Sequence, residues 1–275
     1  MKKNFHPFHI LKPSIWPFFL AFSLGWLAFS LVLVMHGYKK GNINLISSFV
    51  VTIMVLYSWW GDVITESLSE HTAKIRENLR LGMIYFIISE VMFFFGFFWA
   101  FFHSSLIPSV ELLCEWPPVD LQSHIIDPMG IPLANTAILL ASSVSVTWAH
   151  RLLVRPLYVK DEASLALFIT ILLAFLFLVL QVLEYKNANL YISDGIYGSC
   201  FYMLTGFHGF HVFVGTIMLI VSLIRLLLDH FADGTYVGLE SAIWYWHFVD
   251  VVWLILFCFV YVWGNQNHNV IFIVN

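Results

Sequence analysis

Apolar residues run along this chain in long unbroken stretches separated by short polar gaps, without the alternation of a half-buried strand. Seven stretches reach the length of about 20 residues that a helix rising about 1.5 Å per residue needs to cross a hydrocarbon core about 30 Å thick. They lie near 15–35, 43–60, 81–107, 133–154, 163–185, 197–228 and 240–263. Backbone polar groups cannot stay unpaired in lipid, and the runs are too continuous for tilted barrel strands. The pattern predicts an all-α, polytopic membrane protein of seven transmembrane helices, read as a single membrane domain over 1–275.

Composition agrees: 60% of the 275 residues are hydrophobic and 11% charged, against about 25% charged in soluble domains. The net charge of −4 is spread thinly, with no basic stripe for nucleic acid. Ten of the 13 Lys and Arg residues lie in the N-terminal tail, 61–80, 149–162 and at Arg225, all on one side of the predicted membrane. The N-terminus is therefore expected on the cytoplasmic or matrix face and the C-terminal tail opposite. Pro7, Pro13 and Pro17 break up the N-terminal segment, which reads as retained and not as a signal or transit peptide. Cys114, Cys200 and Cys258 are odd in number and far apart, giving neither a disulfide framework nor a thiolate metal site.

Two connections have character. Residues 62–80, DVITESLSEHTAKIRENLR, mix both charge signs with apolar residues and predict a short amphipathic helix at the interface. Residues 108–132 hold five prolines and four acids, which predicts an irregular outer loop.

Polar residues inside spans are expensive and are weighed as functional candidates. Glu90 lies nine residues into its span, about 14 Å deep, where a carboxyl can exchange a proton or donate a hydrogen bond. A buried acid with a fixed partner is the plainer alternative. His208 and His211 stand at i and i+3, as do His247 and Asp250, so a metal cluster between two helices is geometrically possible. Interhelical His–Asp bonds would satisfy the same groups. Glu184 and Asp194 flank one outer loop and read as capping or loop-bonding residues. Trp59, Trp60, Glu66 and His71, with Arg225 at the inner end of the sixth span, suit phospholipid headgroups, or an ordinary interfacial belt. The residues alone leave open a membrane enzyme with a His/Asp metal site and a small transporter using Glu90, although no internal repeat of the transporter kind is present. Motifs for nucleophilic catalysis, a phosphate loop or covalent haem are absent.

Blocks in order along residues 5–264 carry a resemblance: PFHILKPSIWPF, SWWGDVITES, LRLGMIYFIISEVMFFFGFFWAFFHSSL, CEWPPV, PLANTAILLASSVSVTWAH, QVLEY, ISDGIYGSCFYMLTGFHGFHV and WYWHFVDVVWL followed by YVWG. The chain resembles subunit III of the mitochondrial cytochrome c oxidases. The resemblance implies a non-catalytic core subunit of complex IV, the proton-pumping terminal oxidase that reduces O₂ to water with electrons from cytochrome c. It implies a two-helix and a five-helix group separated by a lipid-filled cleft in the inner mitochondrial membrane, the N-terminus in the matrix and the C-terminus in the intermembrane space. Partners would be subunits I and II, accessory subunits and phospholipids. Haem a, haem a3 and copper would sit in partner subunits, with no cofactor or metal here and no catalytic residue. Trp59, Trp60, Glu66, His71 and Glu90 match residues lining the cleft, and Arg225 a basic lipid contact. Glu90, His208, His211, His247 and Asp250 remain the buried polar, proton-related set.

This sequence also departs from the family pattern. Gly61 and Thr65 stand where members usually carry arginine, Thr235 and Tyr236 replace a His-His pair, and Arg151 replaces a histidine. Leu228 stands where a base often follows Arg225, and the tail NQNHNVIFIVN runs past the usual end.

Overall fold

The structure, a computed structural model, describes residues 8–154, 160–231, 236–266 and 268–269. Lys2, Lys3, Arg155, Thr235 and the last six residues of the tail, which entered the charge count and the list of departures, lie outside them. Among the described residues, seven helices are long and apolar enough to cross a membrane, as the hydrophobic pattern predicts. The chain divides into two compact units, Met1–Leu79 and Arg80–Asn275.

In the first unit, α1 (Trp16–Met35) opens with proline in its first turn, where the missing N–H costs nothing. It ends at Gly37, whose φ of +71° closes the helix with N–H bonds back to Val34 and, from Tyr38, to Leu33. Next comes α2 (Gly41–Ser69), packed on α1 along a seam of buried Ser23, Ser30, Ser48 and Thr52. Small residues let the two backbones approach. At Gly41 a Cβ would lie 3.0 Å from the Val34 nitrogen, so any larger residue would push the two backbones apart by a few tenths of an ångström.

The interfacial helix expected within 62–80 does not form as a separate element. α2 continues to Ser69 and α3 (Ala73–Leu106) begins four residues later, so the charged stretch is shared between the ends of two spanning helices. The physical reason is local: no Pro breaks 62–69, and Thr65 and Ser67 donate back to the Asp62 and Ile64 carbonyls without leaving the helix.

The second unit holds the rest of α3 with α4 (Ile131–Val154), α5 (Lys160–Asn187), α6 (Gly195–Leu227) and α7 (Val237–Leu256). A π-helical stretch, Phe257–Trp263, prolongs α7. Ala149, Ala163, Ala166 and Ala174 are fully buried, and Trp246 and Trp253 fill the centre. Gly215 makes room for Trp246, whose ring would come within 3.0 Å of a Cβ there. Interhelical hydrogen bonds lace the bundle. Trp246 and Trp253 donate to Ser142 and Thr136 at 2.9 and 3.0 Å, Ser145 meets Thr170 at 2.7 Å and Tyr185 meets Thr205 at 2.6 Å. Each such bond contributes roughly 0.6–2 kcal/mol in lipid.

The proline-rich outer connection is irregular, with two 3-10 turns, as expected. It also holds β1 (Glu115–Trp116), which pairs antiparallel with β2 (His268–Asn269), so part of the unusual tail folds back onto this loop. Asn265 fixes the tail's start by donating to the Ile126 carbonyl and accepting from Tyr197.

Candidate functional site

Glu90 on α3 meets His211 on α6, carboxyl oxygen to Nε2, at 2.7 Å. His211 Nδ1 lies 2.6 Å from the Phe207 carbonyl, which can only accept, so Nδ1 carries a proton. The Glu90–Nε2 contact therefore shares one proton, on oxygen or on nitrogen. Around it stand the rings of Phe94 (4.9 Å from the imidazole), Phe93, Tyr245 and Phe248. The His211 side chain is 7% exposed and that of Glu90 23%. The arrangement can hold a proton among aromatic rings or tie two helices.

His208, one turn earlier, faces elsewhere. Its Nε2 donates to the Val249 carbonyl at 3.1 Å, and its ring packs against Phe177 and Trp253. The i, i+3 spacing thus does not bring the two imidazoles to one ligand. On α7, Asp250 accepts from Ser143 of α4, and the Ser143 oxygen lies 3.2 Å from His247 Nδ1. Among the described residues no group of three or more His, Cys, Asp or Glu is arranged to hold a metal.

In the first unit, Trp60 is exposed and Trp59 half-buried near the C-terminal end of α2. Glu66 lines a hollow of about 820 Å³ with Lys12, Trp16 and Asp62, and Trp16 donates to Asp62 at 2.6 Å. His71 stacks edge-on against His9 at 5.3 Å and offers its carbonyl to Arg76. In the second unit, Arg225 is half-buried in the last turn of α6, its guanidinium 4.9 Å from the Phe231 ring and lying over Gly238.

Two arrangements are not visible in the residue spacing. Arg80 and Glu240 form an ion pair at 2.6 Å that joins α3 to α7. Glu184, read as a capping residue, is buried instead: it accepts from Tyr261 at 2.7 Å and from Gln181, which in turn accepts from Asn135. The shared face of Gln181 and Glu184, one turn apart, is the signal that points inward. Asp194 does bond its own loop, accepting from the Tyr191 N–H. Finally, α3 and α7 enclose an apolar groove of about 720 Å³ lined by Val91, Phe95, Phe98, Trp99, Phe248 and Ile255 among others.

The family model described as cytochrome c oxidase subunit III matches residues 6–265. Relatives named cytochrome c oxidase subunit 3 include that of Chondrus crispus, 51% identical over 95% of this chain and 95% of its own length. That of Marchantia polymorpha is 50% identical over 95% and 98%, and that of Papio hamadryas 45% identical over 96% and 100%. On a match of this extent, the chain belongs to the cytochrome c oxidase subunit III family and is a subunit of that oxidoreductase complex.

Proposed function

We propose that this chain is a non-catalytic core subunit that steadies subunit I of the oxidase, beside subunit II and accessory subunits, through helix packing and bound phospholipid. It does so as one membrane domain in the inner mitochondrial membrane, N-terminus in the matrix. The complex it serves reduces O₂ with electrons from cytochrome c and pumps protons, the haem and copper being held by partners. The observation that carries this reading is the division of labour among side chains. Glu90, His208, His211 and Asp250 make hydrogen bonds inside the helix bundle. The outer surface meanwhile presents apolar residues such as Phe22, Phe29, Ile46 and Met54. Groups so committed hold helices together, and an apolar surface binds lipid or other helices. Phospholipid headgroups would be met by Trp59, Trp60, Glu66 and His71 in the first unit and by Arg225 in the second, and acyl chains by the residues around Glu90.

The test is to compare the purified oxidase with a preparation from which this chain has been removed. The depleted oxidase should start at a comparable rate per haem, lose activity faster during turnover and retain less phospholipid. Equal lifetimes and equal lipid content would refute the supporting role.

A further inference from the structure

Past α7 and its π-helical end the sequence turns polar, NQNHN at 265–269, too polar a run to continue a spanning helix. The family model stops at residue 265, so the strand β2 belongs to this chain's extension. Gly264 sets how the chain leaves the bundle. Its N–H returns to the Phe259 carbonyl, and the Gln266 N–H returns to that of Trp263, a turn that ends the helix. A Cβ at Gly264 would fall 2.6 Å from the Val260 carbonyl oxygen and 2.8 Å from the Phe101 ring, closer than packed atoms come, so the turn needs glycine.

From that turn the segment is tied to the rest of the second unit. Asn265 donates to the Ile126 carbonyl at 2.8 Å and accepts from the Tyr197 hydroxyl at 2.7 Å. β2 pairs antiparallel with β1, Asn269 opposite Glu115 and His268 opposite Trp116. The bonds that Leu121, Gln122 and His124 donate to Pro118, Val119 and Leu121 are local and shape turns without fastening them to the bundle. Among the described residues, every hydrogen bond that residues 115–126 make outside their own loop goes to this segment. Trp116 reaches the bundle by packing: it is 1% exposed, edge-on to Phe101 of α3 at 5.6 Å and against Tyr197 of α6 at 5.5 Å.

We propose that the extension is a strap. By adding a strand at Glu115–Trp116 and clasping Ile126, it holds the outer loop closed over the ends of α3 and α6, with Trp116 seated between Phe101 and Tyr197. A strand pair this short is marginal by itself. Here the turn at Gly264 and the Asn265 clasp bring the two strands close before they pair, which lowers the loop-closure cost of pairing. The strap acts within this chain and is separate from the supporting role proposed above.

The test is amide hydrogen exchange in the intact oxidase, read by mass spectrometry on peptides covering 113–127. A chain ending at Gln266 should exchange there at least several-fold faster than wild type, while peptides from α4 and α6 stay near wild type. Unchanged exchange in the loop would overturn the inference. Equal acceleration throughout the second unit would overturn it too, since the segment would then be a general part of the fold and not a strap on the loop. A second measurement keeps the chain at full length. In a Cys114→Ser background, Glu115→Cys with Asn269→Cys places two thiols directly opposite, where Cα atoms of antiparallel strands stand about 4.5–5.5 Å apart, within disulfide reach. Mild oxidation of the intact oxidase should cross-link the pair in most molecules and slow loop exchange below wild type. Absence of the cross-link would contradict the pairing, even where the truncated chain failed to assemble.

Discussion

The contact between Glu90 and His211 lends itself to a double-mutant cycle whose terms follow from the geometry. Since Nδ1–H is committed to the Phe207 carbonyl, His211→Leu leaves the Glu90 carboxyl with no partner, and Glu90→Leu leaves the His211 Nε2 lone pair, almost wholly buried, unmet. Each single change should cost about 1–3 kcal/mol, the penalty of an unsatisfied buried polar group. The two penalties concern the same bond, so the double variant should cost less than their sum by about 1–2 kcal/mol. Glu90→Gln tests the proton directly. Its amide donates one N–H to Nε2 as a protonated carboxyl would, so the cost should stay below about 1 kcal/mol. The assay is pulse proteolysis of the purified oxidase through a denaturing-detergent series, reading survival of this chain, where about 1.4 kcal/mol moves the equilibrium tenfold. Strict additivity of the two leucine variants, or a Gln variant as damaged as Glu90→Leu, would refute the shared-proton account.

Three further outcomes are expected. Gly215→Val should destabilise the second unit by about 1–3 kcal/mol in the same proteolysis assay, because even a Cβ would meet the Trp246 ring at 3.0 Å; wild-type resistance would show that Trp246 moves freely. Protease added to mitoplasts should remove a C-terminal tag and spare an N-terminal one, as ten of 13 positive charges require; the opposite pattern reverses the topology. Lipid released from the oxidase beside this chain should be mainly zwitterionic, since Gly61, Thr65 and Leu228, where the resemblance implies bases, carry no charge and each basic residue near a headgroup is worth about 1 kcal/mol; cardiolipin as the dominant species in native mass spectrometry would defeat the charge argument.

The seven spans are legible because hydrocarbon imposes a length and an apolar composition on every crossing helix, so the runs around Ile15 to Met35 or Ala163 to Tyr185 admit no other element. The pairing of polar residues is less legible, for a stated reason. Spacing within one helix reports only which residues share a face, and His208 and His211 at i, i+3 share enough of one to suggest a common ligand. Their partners come from different helices: α7 offers His208 a backbone carbonyl, while α3 offers His211 a carboxyl. A backbone acceptor leaves no mark in the residue pattern at all. Glu184 shows the converse, since proximity to an outer loop suggested capping whereas Tyr261, 77 positions along the chain, draws it inward.

The way these bonds are distributed bears on what holds the subunit together. Between lipid-exposed helices the hydrophobic effect contributes little, because leucine meets lipid tails about as well as it meets leucine. Association must then come from close packing and from hydrogen bonds that hydrocarbon cannot replace. The second unit has both, in the alanine-lined seams around Trp246 and Trp253 and in the bonds from α3 to α6, α4 to α5 and α7, and α5 to α6 and α7. The first unit has a seam of serine and threonine whose paired hydroxyls bond back into their own helices, not across to the neighbour. Of the two, α1 and α2 are therefore held to each other by backbone proximity at Gly41 and by the bond from Trp16 to Asp62, which makes their pairing the more dependent on what the surrounding membrane supplies.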